Sequence, residues 1–150
     1  MLHPDFRDLL AAFAAHEVDY LVVGGYAVGF HARPRFTKDI DLWVGRAPEN
    51  LKRVRAALEE FGAPAAMLEQ LESALDAEVL WRGAAPGRMD GVKGVPGGDC
   101  SACLARRVNT TWDGVSVSII SRDDLIAIKR ASGRPQDLLD VEALGELGKV

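Results

Sequence analysis

The sequence predicts one α+β domain, a small mixed sheet with helices packed against it, and three observations carry that expectation. Apolar residues recur at helical spacing in residues 4–16, 48–61 and 122–132. Short apolar runs such as "DYLVVG" and "DIDLWV" read as strands and alternate with those helices along the chain. Finally, "TTWDGVSVSII" sets Asp113-Gly114 between β-branched runs, which signals a hairpin and therefore antiparallel pairing. The 150 residues suit a single domain spanning 1–150, with no internal repeat, low-complexity tract or linker.

Each element has a local reason. Pro4 suits the first turn of a helix on which Phe6, Leu9, Leu10 and Phe13 share one face. "DYLVVG" follows as a short, largely buried strand. "GYAVGFHA" then reads as a helix, which puts Gly24 and Gly25 at a strand-to-helix turn. After the basic loop "HARPRFTK" comes the strand "DIDLWV". Pro48 opens an amphipathic helix with Leu51, Val54, Leu58 and Phe61 on one face, and Gly62 stops it. "PAAMLEQLESAL" is expected to be helical and "AEVLWRG" a strand. "APGRMDGVKGVPGGD" is the least regular part, rich in Gly and Pro, so any strand around Met89 and Asp90 must be short. Past the hairpin, Ser121 with Asp124 resembles a capping box and opens "RDDLIAIKRAS". Gly133 and Pro135 separate it from a last helix, "PQDLLDVEALGEL".

Composition narrows the function. The chain is 48% hydrophobic and 27% charged, with a formal charge of −4. That balance argues against holding nucleic acid through a broad basic surface, which needs many Lys and Arg to displace counterions. A local basic site stays open. No apolar run approaches the roughly 20 residues that span a bilayer, and "MLHPDFRDLL" lacks the layout of a signal peptide, so a cytoplasmic protein is expected. Cys100 and Cys103 form one CxxC, but His3, His16 and His31 have no finger-like spacing to it. The two thiols are therefore read as reduced residues of a helix or loop rather than zinc ligands.

Two aspartates are out of place in this pattern. In a strand, Asp39 and Asp41 project from one face while Ile40 and Leu42 project from the other. Two carboxylates about 7 Å apart on one face repel and lose hydration. Exposure at an edge would offset this, as would pairing with Arg33, Arg35 or Lys38. So would a divalent cation, since hard Mg²⁺ favours a few carboxylate oxygens with waters and substrate phosphates. Gly24-Gly25 adds context, because glycines ahead of a helix N-terminus let backbone N–H groups approach an anion. One half of such a device would hold a triphosphate and the other its metal.

"Val23-Gly24-Gly25" followed by "Asp39-Ile40-Asp41-Leu42" resembles the nucleotidyltransferase superfamily typified by DNA polymerase β, whose signature is hG[GS], a spacer, then Dh[DE]h. More closely, "YLVVGGYAVGFHARPRFTKDIDLWV" with "DLIAIKRASGRPQDLLDVEAL" looks like bacterial proteins related to nucleotidyltransferase toxins of AbiEii type. The resemblance spans roughly residues 17 to 145. It implies the polymerase β-like fold and transfer of NMP from an NTP to an acceptor hydroxyl with Mg²⁺ or Mn²⁺. It also implies that Asp39 and Asp41 bind metal, with Asp90 as the best match for a third carboxylate. Gly24 and Gly25 would hold phosphates, and Lys129 would help bind the triphosphate. Arg35, Thr37 and Lys38, just before the acidic pair, are candidate phosphate contacts on their position alone. Thr37 could instead cap, and Arg33, Arg35 and Lys38 could simply be solvated. Lys129 continues the apolar face of Leu125 and Ile126, so its ammonium is expected to reach inward. Asp137 and Asp140 read as partners of Arg134 or as caps.

The acceptor could be RNA, including tRNA ends, a protein side chain, or a small molecule as in antibiotic-modifying branches. A toxin paired with an antitoxin protein is the biology the resemblance favours. A different class remains beside it, a catalytically inactive nucleotide-binding or interaction domain. The odd stretch "MDGVKGVPGGDC" is its sequence support.

Overall fold

The computed structural model describes residues 4–32, 39–45, 47–62, 68–69, 79–84, 88–93 and 100–147, with the backbone alone at 39, 79–84, 88–93, 100, 146 and 147. Among the described residues the main elements follow in the order α1 (Pro4–Ala15), β1 (Tyr20–Val23), α2 (Gly24–His31), β2 (Asp39–Val44), α3 (Pro48–Phe61), β3 (Val79–Ala84), β4 (Arg88–Lys93), α4 (Cys100–Ala105), β5 (Val108–Trp112), β6 (Val115–Ile119), α5 (Arg122–Ser132) and α6 (Pro135–Leu147). The α+β class is therefore as expected. Among the described residues no helix is long and apolar enough to cross a membrane.

The strands form one mixed sheet in the order β4-β3-β2-β1-β6-β5. All neighbours are antiparallel except β1 and β6, whose parallel pairing aligns Val22 with Ile119. Central strands are covered on both faces and so read as continuous apolar runs. All four residues of β1 are buried, and Leu42, Trp43 and Val44 of β2 have no exposed surface. The β6 pattern alternates instead, with Val115, Val117 and Ile119 buried and Ser116 exposed, as suits a strand near an edge with one open face.

Helix α1 buries Phe6, Leu9, Leu10 and Phe13, and the Phe13 ring meets Tyr20 edge-on at 5.2 Å. Its end is closed by bonds from Glu17 N–H to Ala14 O and from Val18 N–H to Phe13 O. Glu17 takes the left-handed position of this motif at φ 55°, where glycine is usual. Helix α3 stops at Gly62, φ 91°, whose N–H donates to Leu58 O. Asn50, only 1% exposed, clips this helix to the sheet. Its amide donates to Asp19 O and Gly45 O at 2.9 and 2.8 Å and accepts from Asp19 N–H at 2.7 Å.

The Ser121 cap forms as expected, its Oγ accepting from Asp124 N–H at 3.2 Å. The hairpin also forms, turning at Asp113-Gly114. The glycine- and proline-rich region departs from its irregular reading. Arg88–Lys93 is a six-residue strand, short yet fully paired along β3. Its edge position explains the difference, because a strand with one partner tolerates Gly91 better than a central one. Of the expected helix "PAAMLEQLESAL", only Leu68 and Glu69 lie within the described residues, and both are helical.

Candidate active site

The turn from β1 into α2 brings the glycine pair to the acidic strand. Val23, the last residue of β1, is the antiparallel partner of Asp41. Paired residues on adjacent strands share a face, so Asp41 emerges beside the first backbone of α2. Gly24 adopts φ +68°, a left-handed conformation that side chains disfavour. A Cβ placed on Gly24 would overlap Asp41 Oδ2 and lie 3.0 and 3.2 Å from its Cγ and Cβ. The Asp41 carboxyl thus occupies the volume that a side chain at position 24 would need. Asp41 itself is 9% exposed. Val23, at the N-cap position of α2, offers no side-chain cap, and the first turn of the helix with its partial positive charge lies next to this carboxylate.

Asp39 opens the same strand two positions earlier, paired through the backbone with Ala84. Asp90 lies farther off than a neighbouring strand. Asp41 pairs with Arg82 of β3, and Arg82 pairs with Asp90 of β4. The three positions form one row across the sheet, with about 10 Å between the outer backbones at two strand spacings. The sequence reading missed Arg82, whose position in the middle of this row depends on a pairing register that no local pattern announces. Arg33, Arg35, Thr37 and Lys38 lie outside the described residues.

Lys129 reaches inward as expected, but its partners are carboxylates. It is 8% exposed, and its Nζ lies 3.2 Å from Asp137 Oδ1 and 3.0 Å from Asp140 Oδ2. Arg134 Nε donates to Asp137 Oδ2 at 2.8 Å, and Gln136 Nε2 donates to Asp140 Oδ1 at 3.1 Å. The pairing of Asp137 with Arg134 was legible from their i, i+3 spacing. Burial acts to raise the Asp137 pKa, but hydrogen bonds from Arg134, Ser132 and Lys129 outweigh it and hold the carboxyl at about 2. A phosphate at Lys129 would have to displace one of two carboxylates. This cluster joins α5 to α6, both of which touch α2. His31 Nε2, at the far end of α2, bonds Ile120 O at 2.7 Å.

Around α2 a run of aromatic rings also escaped the sequence reading. Tyr26 meets Phe6 at 6.2 Å and Trp112 at 5.9 Å, and Phe30 meets Trp112 at 6.5 Å. Burial raises the Tyr26 hydroxyl pKa above its ordinary value. The signal was the nearly all-apolar composition of "GYAVGF", too rich for a helix with only two fully buried side chains.

Among the described residues no group of three or more His, Cys, Asp or Glu side chains could hold a metal ion. The Asp39 and Asp90 side chains lie outside that description. Asp41 supplies a hard oxygen donor of the type Mg²⁺ or Mn²⁺ accepts, buried and beside the start of α2. Cys103 is a buried thiol beside the Arg106–Asp124 ion pair, in which Arg106 Nη2 lies 2.8 Å from Asp124 Oδ1. That pairing holds the Asp124 carboxyl below its ordinary range. No protein-family model matches the chain, and no curated protein is significantly similar to it.

Proposed function

We propose that the chain is a metal-dependent nucleotidyltransferase of polymerase β-like fold that moves NMP from an NTP to an acceptor hydroxyl. The observation that supports this reading most is the apposition of buried Asp41 to the Gly24 turn at the start of α2. A carboxylate held against a helix N-terminus with a glycine between them joins a cation-binding group to an anion-binding one.

In this reading Asp39 and Asp41 hold Mg²⁺ or Mn²⁺, and the α2 start holds the phosphates. A bound divalent cation would neutralise phosphate charge and keep the attacking and leaving oxygens in line. The acceptor oxygen forms a bond to the α-phosphorus, the bond from that phosphorus to the β-bridging oxygen breaks, and pyrophosphate leaves. The acceptor proton passes to a carboxylate, the role assigned to Asp90. Arg82, between Asp41 and Asp90 in register, is proposed as a further cation that meets phosphate charge. Arg35, Thr37 and Lys38 are proposed as further phosphate contacts. Lys129 contributes mainly by holding α5 and α6 against each other. The acceptor is an RNA, protein or small-molecule hydroxyl, and a toxin neutralised by an antitoxin protein is the biology that suits it.

Incubation of the protein with labelled ATP, CTP, GTP or UTP, Mg²⁺ and cell extract tests the reading. Label should move to an acceptor with the native chain and fail to move with Asp39→Ala or Asp41→Ala. Transfer that survives both substitutions would overturn the assigned site. Mg²⁺-dependent NTP binding without transfer would favour the inactive nucleotide-binding domain, which the separation of Asp90 from Asp41 by a whole strand also supports.

A further inference from the structure

We infer that Gly24 is a positioning residue for Asp41, and that the lack of a side chain at position 24 is what places the Asp41 carboxyl where it can bind a cation. This deepens, and for its functional half rests on, the proposed nucleotidyltransferase reading. The usual interest of a glycine at such a turn is that its backbone approaches a phosphate. Here the turn does something else as well. The space over the Gly24 Cα is filled from within the protein, since a Cβ there would overlap Asp41 Oδ2 and approach Cγ to 3.0 Å. Asp41 cannot retreat easily. It is 9% exposed, its backbone is paired on one side with Val23 and on the other with Arg82, and its neighbours Ile40 and Leu42 are fully buried. A side chain at position 24 therefore has one outlet, rotation of the carboxyl away from the α2 start.

The positive φ of +68° is a separate demand on the same residue. The two demands can be told apart. Asparagine tolerates left-handed backbone better than alanine does, yet both carry a Cβ. If volume governs, Gly24→Asn and Gly24→Ala fail alike.

The proposal is tested by combining Gly24→Ala with Asp41→Ala, which removes Cγ and both oxygens and leaves, of the three nearest contacts, the 3.2 Å one to Cβ. The thermal midpoint lost on Gly24→Ala should fall to less than about half in the Asp41→Ala background, since residues in contact couple. A variant that folds only when Asp41→Ala accompanies it would show the same coupling. Equal losses in both backgrounds, or no folding in either, overturn the proposal, because left-handed strain alone would then govern. This arm needs no activity and stands even if the protein transfers nothing.

The second arm uses Mg²⁺ titration of the transfer reaction with ATP as probe. Gly24→Ala and Gly24→Asn should raise the half-saturating Mg²⁺ concentration at least about tenfold, the effect expected when a group that orients a metal ligand is lost. The KM for ATP at saturating Mg²⁺ should change little. A raised KM with an unchanged Mg²⁺ requirement would assign Gly24 to phosphate contact and overturn the positioning role. Coupling of the midpoints with no transfer by the native chain would leave Gly24 positioning Asp41 while sinking the nucleotidyltransferase reading.

Discussion

Replacing Lys129 by methionine gives the sharpest test of the buried charges. The substitution keeps an unbranched apolar stem of similar length, with sulfur in place of one methylene, and removes the ammonium. What it leaves behind is two carboxylates, Asp137 at 3% and Asp140 at 4% exposure, that had shared that ammonium at 3.2 and 3.0 Å. Removing one partner of a buried ion pair costs about 3–5 kcal/mol. Asp137 keeps Arg134 and Asp140 keeps the Gln136 amide, so the lower end, about 3 kcal/mol, applies. For a chain of this size that is a fall of roughly 6–12 °C in Tm.

Urea unfolding at pH 7 and pH 4 reads the loss, with an unchanged m value expected. The sign with pH is fixed by the carboxylates. Lys129 helps hold the Asp137 pKa down at about 2, so without the lysine that carboxyl titrates higher. The variant can then relieve its uncompensated charge by taking up a proton at pH 4, and its deficit there should be less than half of that at pH 7. Adding Asp137→Asn and Asp140→Asn to Lys129→Met should recover most of the stability. A loss under about 1 kcal/mol at pH 7, or the same loss at both pH values, would refute the account of a buried and mutually dependent cluster.

Other outcomes follow from features already described. Label transfer from NTP should vanish in Asp39→Ala and Asp41→Ala, and the midpoint cost of Gly24→Ala should shrink when Asp41→Ala accompanies it. The lowered Asp137 pKa means that its contribution is complete above the unfolded carboxyl value and is lost as pH falls toward about 2. Acid titration of Asp137→Asn, followed by circular dichroism, should therefore show a shallower decline than the native chain between about pH 5 and pH 2; equal slopes would remove Asp137 from the acid response. Glu17 holds a left-handed position at the end of α1. Glu17→Gly should stabilise the protein by about 0.5–1 kcal/mol in urea titrations, and a destabilisation would mean that the Glu17 side chain makes a compensating contact.

The parts of the fold that were legible in sequence are those with a local cause. Apolar spacing announced α1, α3 and α5, and the Asp113-Gly114 turn announced β5 and β6. Ser121 marked the start of α5, while Pro48 and Gly62 bracketed α3. Strand β4 was harder because pairing with β3, not its own composition, makes it a strand. Strand order was out of reach for the same reason. The candidate site shows both sides of this. Gly24, Gly25, Asp39 and Asp41 could be picked out as unusual residues, and the pairing of Val23 with Asp41 does bring the two groups together. That Gly24 and Asp41 compete for one volume, or that Arg82 lies in register between Asp41 and Asp90, depends on register and had no local signal. Lys129 was recognised as inward-reaching from its helical position, but the carboxylates that receive it come from the next helix.

The parallel pairing of β1 with β6 has a consequence for how the chain assembles. It joins Val22 to Ile119, and Ile120 N–H donates to Val22 O, so the centre of the sheet closes over a loop of nearly a hundred residues. The β2, β3 and β4 strands meet partners much nearer in sequence than β6 is to β1, so β1 stays half-paired until β6 arrives. Long-range closure of this kind slows folding. During synthesis the strand that leads into Gly24 would wait with one edge open until most of the chain has left the ribosome. Its wholly apolar sequence, Tyr-Leu-Val-Val, makes that interval the period in which the nascent chain is most exposed to pairing with another copy.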